Sequence, residues 1–144
     1  MSLVTEWNCD YCGKRILTPD NGLLTWEDDL TVGSNNFKIV HQGTCDDHSN
    51  SCSQHLKDCI GDDGLTYLLS LLSCGPIMKS LGRAGSAPKS NNDQLVDVIR
   101  RLHIDGYEDA RQKFSNPTLL SDFDDSNEVY PYLVRTLKNI SKKY

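Results

Sequence analysis

The hydrophobic rhythm of the chain changes near residue 48. Before it, apolar residues come in short runs. Leu23-Leu24-Thr25-Trp26 and Phe37-Lys38-Ile39-Val40-His41 have strand-like composition, and each follows a cluster of turn formers, Thr18–Gly22 and Gly33–Asn36. After it, the spacing turns helical. Ser51–Cys59 predicts a short helix stopped by Gly61. Leu65, Leu68, Leu69, Leu71 and Leu72 predict a second one, apolar nearly all round and therefore central, ending at Gly75-Pro76. Residues 79–92 are rich in Gly, Ser, Pro and Asn and predict a flexible loop.

Beyond the loop, Asp93 can cap a helix in which Leu95, Val96, Ile99, Leu102 and His103 share one stripe, with Arg100 and Arg101 facing elsewhere. Gly106 interrupts it. Tyr107, Ala110 and Phe114 mark a short helix closed by Pro117. After an acidic turn, Asp122–Asp125, a last helix starts near Asn127, with Pro131 in its first turn and Val129, Leu133, Leu137 and Ile140 on one face. The expected architecture is α+β: a small N-terminal β-ribbon module over 1–48, then a mainly α-helical region over 49–144.

Composition bears on how such a chain would hold together. Its 144 residues are 38% hydrophobic, enough for a modest core that benefits from a staple. The net charge of −5 lies wholly in residues 1–48, which hold three basic residues against eight acidic ones. Three thiolates around a divalent ion add one more negative charge, so this third is a poor phosphate binder. The first fifteen residues show no secretory signal, and the longest apolar stretch, Leu68–Leu72, is far too short to span a bilayer. A cytoplasmic location is therefore expected. There, six cysteines serve as metal ligands or buried thiols rather than disulfides.

Cys9-Asp10-Tyr11-Cys12-Gly13-Lys14 has the form of a metal knuckle, in which two thiolates reach one ion from a tight turn. His41 and Cys45 supply a second pair at the end of a predicted strand. Together the four make a donor set for one structural zinc ion. The order Cys, Cys, His, Cys resembles the first half of a LIM domain, and the knuckle resembles those of zinc-ribbon and treble-clef proteins. The resemblance covers about residues 7–48 and implies the metal site and a ribbon-like fold. It departs from the LIM pattern in its longer central loop, in the three residues separating His41 from Cys45, and in the lack of a second LIM half.

Other arrangements of these residues stay open. Trp7-Asn8-Cys9-Asp10-Tyr11-Cys12 superficially matches a thioredoxin motif, but Gly13 and the turn at 18–22 deny it the long helix that lowers the thiol pKa. His48, Cys52, His55 and Cys59 continue a spacing of four and three, and so form a second candidate metal site or a source of replacement ligands. Otherwise Cys52 and Cys59 are small packing residues, and Cys74 is a core thiol.

Catalysis is not expected. Four ligands close the coordination shell, and neither His-Glu-x-x-His nor the zinc-deaminase pattern occurs. Gly82–Ser90 lacks phosphate-loop spacing. The favoured expectation is a module acting through a protein partner, with Tyr107, Tyr130, Tyr132 and Tyr144 as surface or core residues of the helical part. The alternative is a nucleic-acid-binding regulator using a helix-turn-helix-like segment over 93–114, with Arg100, Arg101, Arg111 and Lys113. Against it, residues 89–144 carry nine basic and nine acidic side chains.

Overall fold

A long antiparallel hairpin organises the N-terminal part of the chain. In the computed structural model, which describes residues 4–82 and 91–144, strand β3 (Gly22–Asp29) pairs with β4 (Gly33–His41) from Gly22↔His41 to Asp29↔Gly33. Asp29 caps the turn, its carboxylate accepting from the main-chain N–H groups of Thr31 and Val32. The pairing slips by one residue opposite Trp26, where Asn36 adopts a left-handed φ of 55° and forms a bulge. The bulge lets Phe37 stack on Trp26, with ring centroids 6.0 Å apart.

Two smaller strands, β1 (Trp7–Asn8) and β2 (Arg15–Ile16), form a separate antiparallel pair that carries the knuckle. The other edge of β3 is taken by β5 (Cys52–His55), giving the order β4-β3-β5. This corrects the helix expected over Ser51–Cys59. An open strand edge offers main-chain hydrogen bonds that a short, weakly apolar helix cannot match, and the Cys52–His55 segment alternates between half-buried and exposed positions. Only a 3-10 turn, Leu56–Asp58, follows it.

Helix α1 (Gly61–Ser70) is not central either. It buries Gly64 and Leu68, while Leu69 and Leu72 are exposed. The break after it comes before Gly75, and α2 (Gly75–Ser80) begins there, with Pro76 in the first turn, where a missing N–H costs nothing. The flexible loop expected over 79–92 falls largely on residues 83–90, outside the described residues, as does most of the rejected phosphate-loop segment.

Helix α3 (Asn92–His103) begins behind Asn91, whose side chain accepts from the Gln94 N–H, so Asn91 rather than Asp93 is the cap. It buries Leu95, Val98 and Leu102, the last two in one core with Trp7, Ile16, Leu24, Ile39, Leu56 and Leu68. Main-chain groups of β4 are also taken up. Ser34 O accepts from Asn91 N, Asn36 N donates to the Gln94 side chain, and Ile39 exchanges both of its groups with Asp10.

The chain divides into two compact units, one extending to His103 and the other running from Ile104 to Tyr144. In the second, α4 (Tyr107–Arg111), α5 (Pro117–Asp122) and α6 (Val134–Lys143) close around Tyr107, Ala110, Leu119, Leu137 and Ile140. Helix α5 stands where Pro117 was expected only to end a helix. Asn116 caps it, accepting from the N–H groups of Thr118 and Leu119. Pro131 sits in a 3-10 turn, Tyr130–Tyr132, so the last helix starts at Val134 instead of near Asn127.

The tightest backbone approach is at Gly64, where an added Cβ would run into the main chain of Cys59. Gly64→Ala gains up to about 1 kcal/mol of helix propensity, but main chain cannot rotate away as a side chain does. The variant should lose about 2 kcal/mol net, as for overpacked cores. Urea denaturation measures this, and a stabilised variant would contradict the contact.

Candidate metal centre

The knuckle is built by local backbone rules. Cys9 N–H donates to Lys14 O and Gly13 N–H donates to Cys9 O, both at 2.9 Å, closing the turn between β1 and β2. Gly13 takes a φ of +76°, which L side chains rarely adopt. The folded turn points two N–H groups, those of Tyr11 and Cys12, at the Cys9 sulfur, 3.4 and 3.5 Å away.

The second pair comes from the end of the hairpin. His41 is the last residue of β4, and a turn through Gly43 brings Cys45 back, its N–H reaching His41 O at 3.3 Å. The ligand atoms of Cys9, Cys12, His41 and Cys45 then all lie within 4.8 Å of one another and could hold a metal ion. His41 Nδ1 is 3.4 Å from Cys12 Sγ and 3.6 Å from Cys45 Sγ. Its other nitrogen, Nε2, is 3.1 Å from the carbonyl of Arg15. Only a protonated Nε2 can bond to a carbonyl oxygen, so the neutral ring leaves its lone pair on Nδ1, facing the three sulfurs.

The electrostatics fit a cation. Burial pushes the Cys9 thiol pKa up, but hydrogen bonds from Cys12, His41 and Tyr11 outweigh that and bring it down to about 6. Cys45 shifts the other way, raised first by burial and then by the neighbouring Cys12 and Cys9 sulfurs. The neighbouring sulfurs thus oppose the ionisation of Cys45, and a positive ion among them would remove the opposition. Cys9 and Cys45 are buried while Cys12 is exposed, so the site opens to solvent on one side.

No protein-family model, curated protein or solved structure matches this chain.

Among the described residues, this is the one cluster of metal-ligating side chains. His48, Cys52, His55 and Cys59 are dispersed. His48 is exposed beside Asp46, Cys52 Sγ approaches Asp28 Oδ2 at 3.2 Å, His55 is exposed, and Cys59 is fully buried in the core. Cys74 is only half-buried.

Sequence reasoning overlooked the group that joins the knuckle to the rest of its unit. Arg101, expected to face away from the core, is 1% exposed. Its Nη1 donates to Asp10 Oδ2 at 2.7 Å and its Nη2 to Asn8 O at 3.1 Å, while its own carbonyl accepts from Trp7 Nε1 at 3.0 Å. Asp10 Oδ2 also accepts from Ile39 N–H at 2.8 Å. The available signal was position, since Arg101 lies three residues after Val98 and six after Leu95, on the buried stripe.

Two outcomes follow from this chemistry. Arg101→Leu leaves Asp10 without its counter-charge; discounted for the partial exposure of Asp10, the loss should be about 2–3 kcal/mol in chemical denaturation. Adding Asp10→Asn should recover part of it, and a double variant no more stable than the single one would argue against the pair. Separately, burial, with the Asp58 charge behind it, raises the Cys59 pKa to about 12. The unfolded thiol ionises near 9 while the folded one stays protonated, so stability should fall as pH rises through 9 toward 12. By pH 10.5 wild type should have lost about 2 kcal/mol more than Cys59→Ala relative to pH 8. Parallel profiles would place the thiol in contact with water.

Proposed function

We propose that this chain is a small cytoplasmic protein-interaction module whose first hundred residues are stapled by one structural zinc ion held by Cys9, Cys12, His41 and Cys45. The tautomer of His41 carries this reading, because a hydrogen bond outside the cluster turns the ring's lone pair toward the three sulfurs. Tetrahedral zinc with ordinary Zn–S and Zn–N bonds puts sulfur and nitrogen roughly 3.6 Å apart. The separations of 3.4 and 3.6 Å around His41 Nδ1 suit that ion.

Several features support a structural role over a catalytic one. Four protein ligands fill a tetrahedral shell and leave no position for water or substrate. The knuckle between β1 and β2, followed by a hairpin that ends in a ligand, supports a ribbon of the kind seen in the first half of a LIM domain, although the intervening loop is longer here. No helix among the described residues is long and apolar enough to cross a membrane.

A protein partner is favoured over nucleic acid by what has become of the basic residues. Arg101 is buried on Asp10, and Lys113 Nζ donates to Tyr144 O. Helices α3 and α4, the two halves of the helix-turn-helix-like segment, belong to different compact units, and α4 has five residues, with Tyr107, Glu108 and Ala110 buried. Tyr130 and Tyr132, by contrast, are exposed.

X-ray absorption on protein purified without added metal should find one zinc per chain with three sulfurs and one nitrogen. Stripping it, or replacing Cys12 with Ser, should abolish cooperative unfolding of the N-terminal unit, since binding energies of such sites reach on the order of ten kcal/mol and are folding energy. A first-shell water or a second zinc would overturn the structural assignment.

A further inference from the structure

We infer that the cysteine cluster is also a peroxide-sensitive switch: Cys12 takes the oxidant, Cys9 closes a disulfide onto it, and the chain gives up its zinc. The inference rests on the zinc staple proposed above and adds a regulation to that site.

Accessibility singles out Cys12. Of the six cysteines it alone is exposed; Cys9, Cys45 and Cys59 are buried, and Cys52 and Cys74 are half-buried. The way to it is open, since Tyr11 beside it is exposed and a Cβ placed on Gly13 would meet no atom within 4 Å. Zinc ligation holds a cysteine as the thiolate, the form that a peroxide attacks. Cys52 lacks that activation: burial and the Asp28 carboxylate, whose Oδ2 is 3.2 Å from Cys52 Sγ, both oppose its ionisation. Within the cluster the sulfurs are unequal as well. The main-chain N–H groups of Tyr11 and Cys12 donate to Cys9 Sγ, drawing off charge from a sulfur that burial already shields. Cys12 Sγ instead lies 3.4 Å from His41 Nδ1, which in the tautomer set by Arg15 O has no proton to donate.

Cys9 is the better placed of the remaining sulfurs to finish the reaction. It shares with Cys12 a turn already closed by main-chain bonds, whereas Cys45 belongs to the turn after β4, and the shorter ring costs less chain entropy. The ligand atoms of Cys9 and Cys12 lie within 4.8 Å of each other. In the first step the Cys12 thiolate attacks hydrogen peroxide, the O–O bond breaks, and hydroxide leaves a sulfenic acid behind. In the second, the Cys9 thiolate attacks the sulfenic sulfur; the S–S bond forms, the S–O bond breaks, and another hydroxide leaves. Protons from solvent convert both hydroxides to water. The pair of sulfurs has lost two electrons, and the peroxide has gained them. His41 and Cys45 then remain, half of the tetrahedral donor set that holds a structural ion. The change reaches the sheet, because Asp10 lies inside the ring so closed and accepts from Ile39 N–H and from Arg101.

The test exposes the full chain, loaded with one equivalent of zinc, to hydrogen peroxide beside a zinc indicator dye. The bound zinc should be released. Peptide mapping at half-release should find a Cys9–Cys12 disulfide, with Cys45, Cys52, Cys59 and Cys74 still free for alkylation. In parallel samples dimedone, which traps sulfenic acids, should label Cys12 at least about tenfold more than any other cysteine at early times. Dithiothreitol with fresh zinc should restore the loaded chain. Cys52→Ser/Cys74→Ser should release zinc at the wild-type rate. Zinc retained under peroxide, first labelling at another cysteine, or a disulfide that pairs Cys12 with Cys45 or joins two chains overturns the switch and leaves the staple standing. A chain that binds no zinc before peroxide is added counts against both.

Discussion

A guanidinium sealed from water sets the geometry of the first hundred residues. Arg101 comes from α3 and reaches Asp10, which sits between the first two sulfur ligands, across 91 residues of chain. A buried ion is tolerable only when its charge is balanced and its N–H groups are engaged. Here a carboxylate and a main-chain carbonyl meet two arms of the planar fork, a match a lysine could not make. Because Trp7 closes the circuit onto the Arg101 carbonyl, knuckle, hairpin and helix are fitted to one another through a few directed bonds. Apolar packing alone would allow α3 to slide. These bonds admit one register.

The same cation bears on the metal-ligating cluster. The Cys9 thiol, whose pKa is lowered, and Asp10 concentrate negative charge in a short stretch of an already acidic N-terminal third, and Arg101 is a permanent positive charge within that neighbourhood. Charges that repel at close range are held together either by water or by fixed counter-charges, and burial removes the first choice. The knuckle and the docking of α3 therefore meet at Asp10, which stands between Cys9 and Cys12 in the chain and pairs with Arg101. The Ile104–Tyr144 unit has a different internal logic, with aromatic contacts such as Tyr107 against Phe114 and helices too short to persist without them.

Legibility followed the range of the interactions. The knuckle is local: two cysteines, a glycine at positive φ and two short strands lie within ten residues, so spacing alone announced it. His41 and Cys45 were legible because a strand ended where the first ligand stood. The two strands of the hairpin, and the helices α3 and α4, followed from apolar spacing, but the turn formers Gly33–Asn36 belong to β4 and the hairpin turns at residues 30–32 instead. What failed was long-range. The Cys52–His55 segment became a strand because β3 offered an edge, a fact absent from its own composition. Arg101 was placed outside by its charge, although its position on the stripe pointed inward. Pro117 was taken as a stop because proline ends helices, whereas behind Asn116 it starts one. The leucines of α1 looked central by number, yet only Leu68 is fully covered.

The treatment of β4 has a further consequence. A nine-residue strand at the margin of a sheet is a template onto which another molecule's strand can add, and proteins blunt such margins with charge, bulges or cover. Here the cover is the knuckle residue Asp10 along Ile39 and the start of α3 along Ser34 and Asn36, with the Asn36 bulge between them. Whatever loosens the knuckle therefore bares the longest strand among the described residues to its neighbours in solution. In this fold the cysteine cluster guards solubility as much as shape, and its loss would register first as chain-to-chain association.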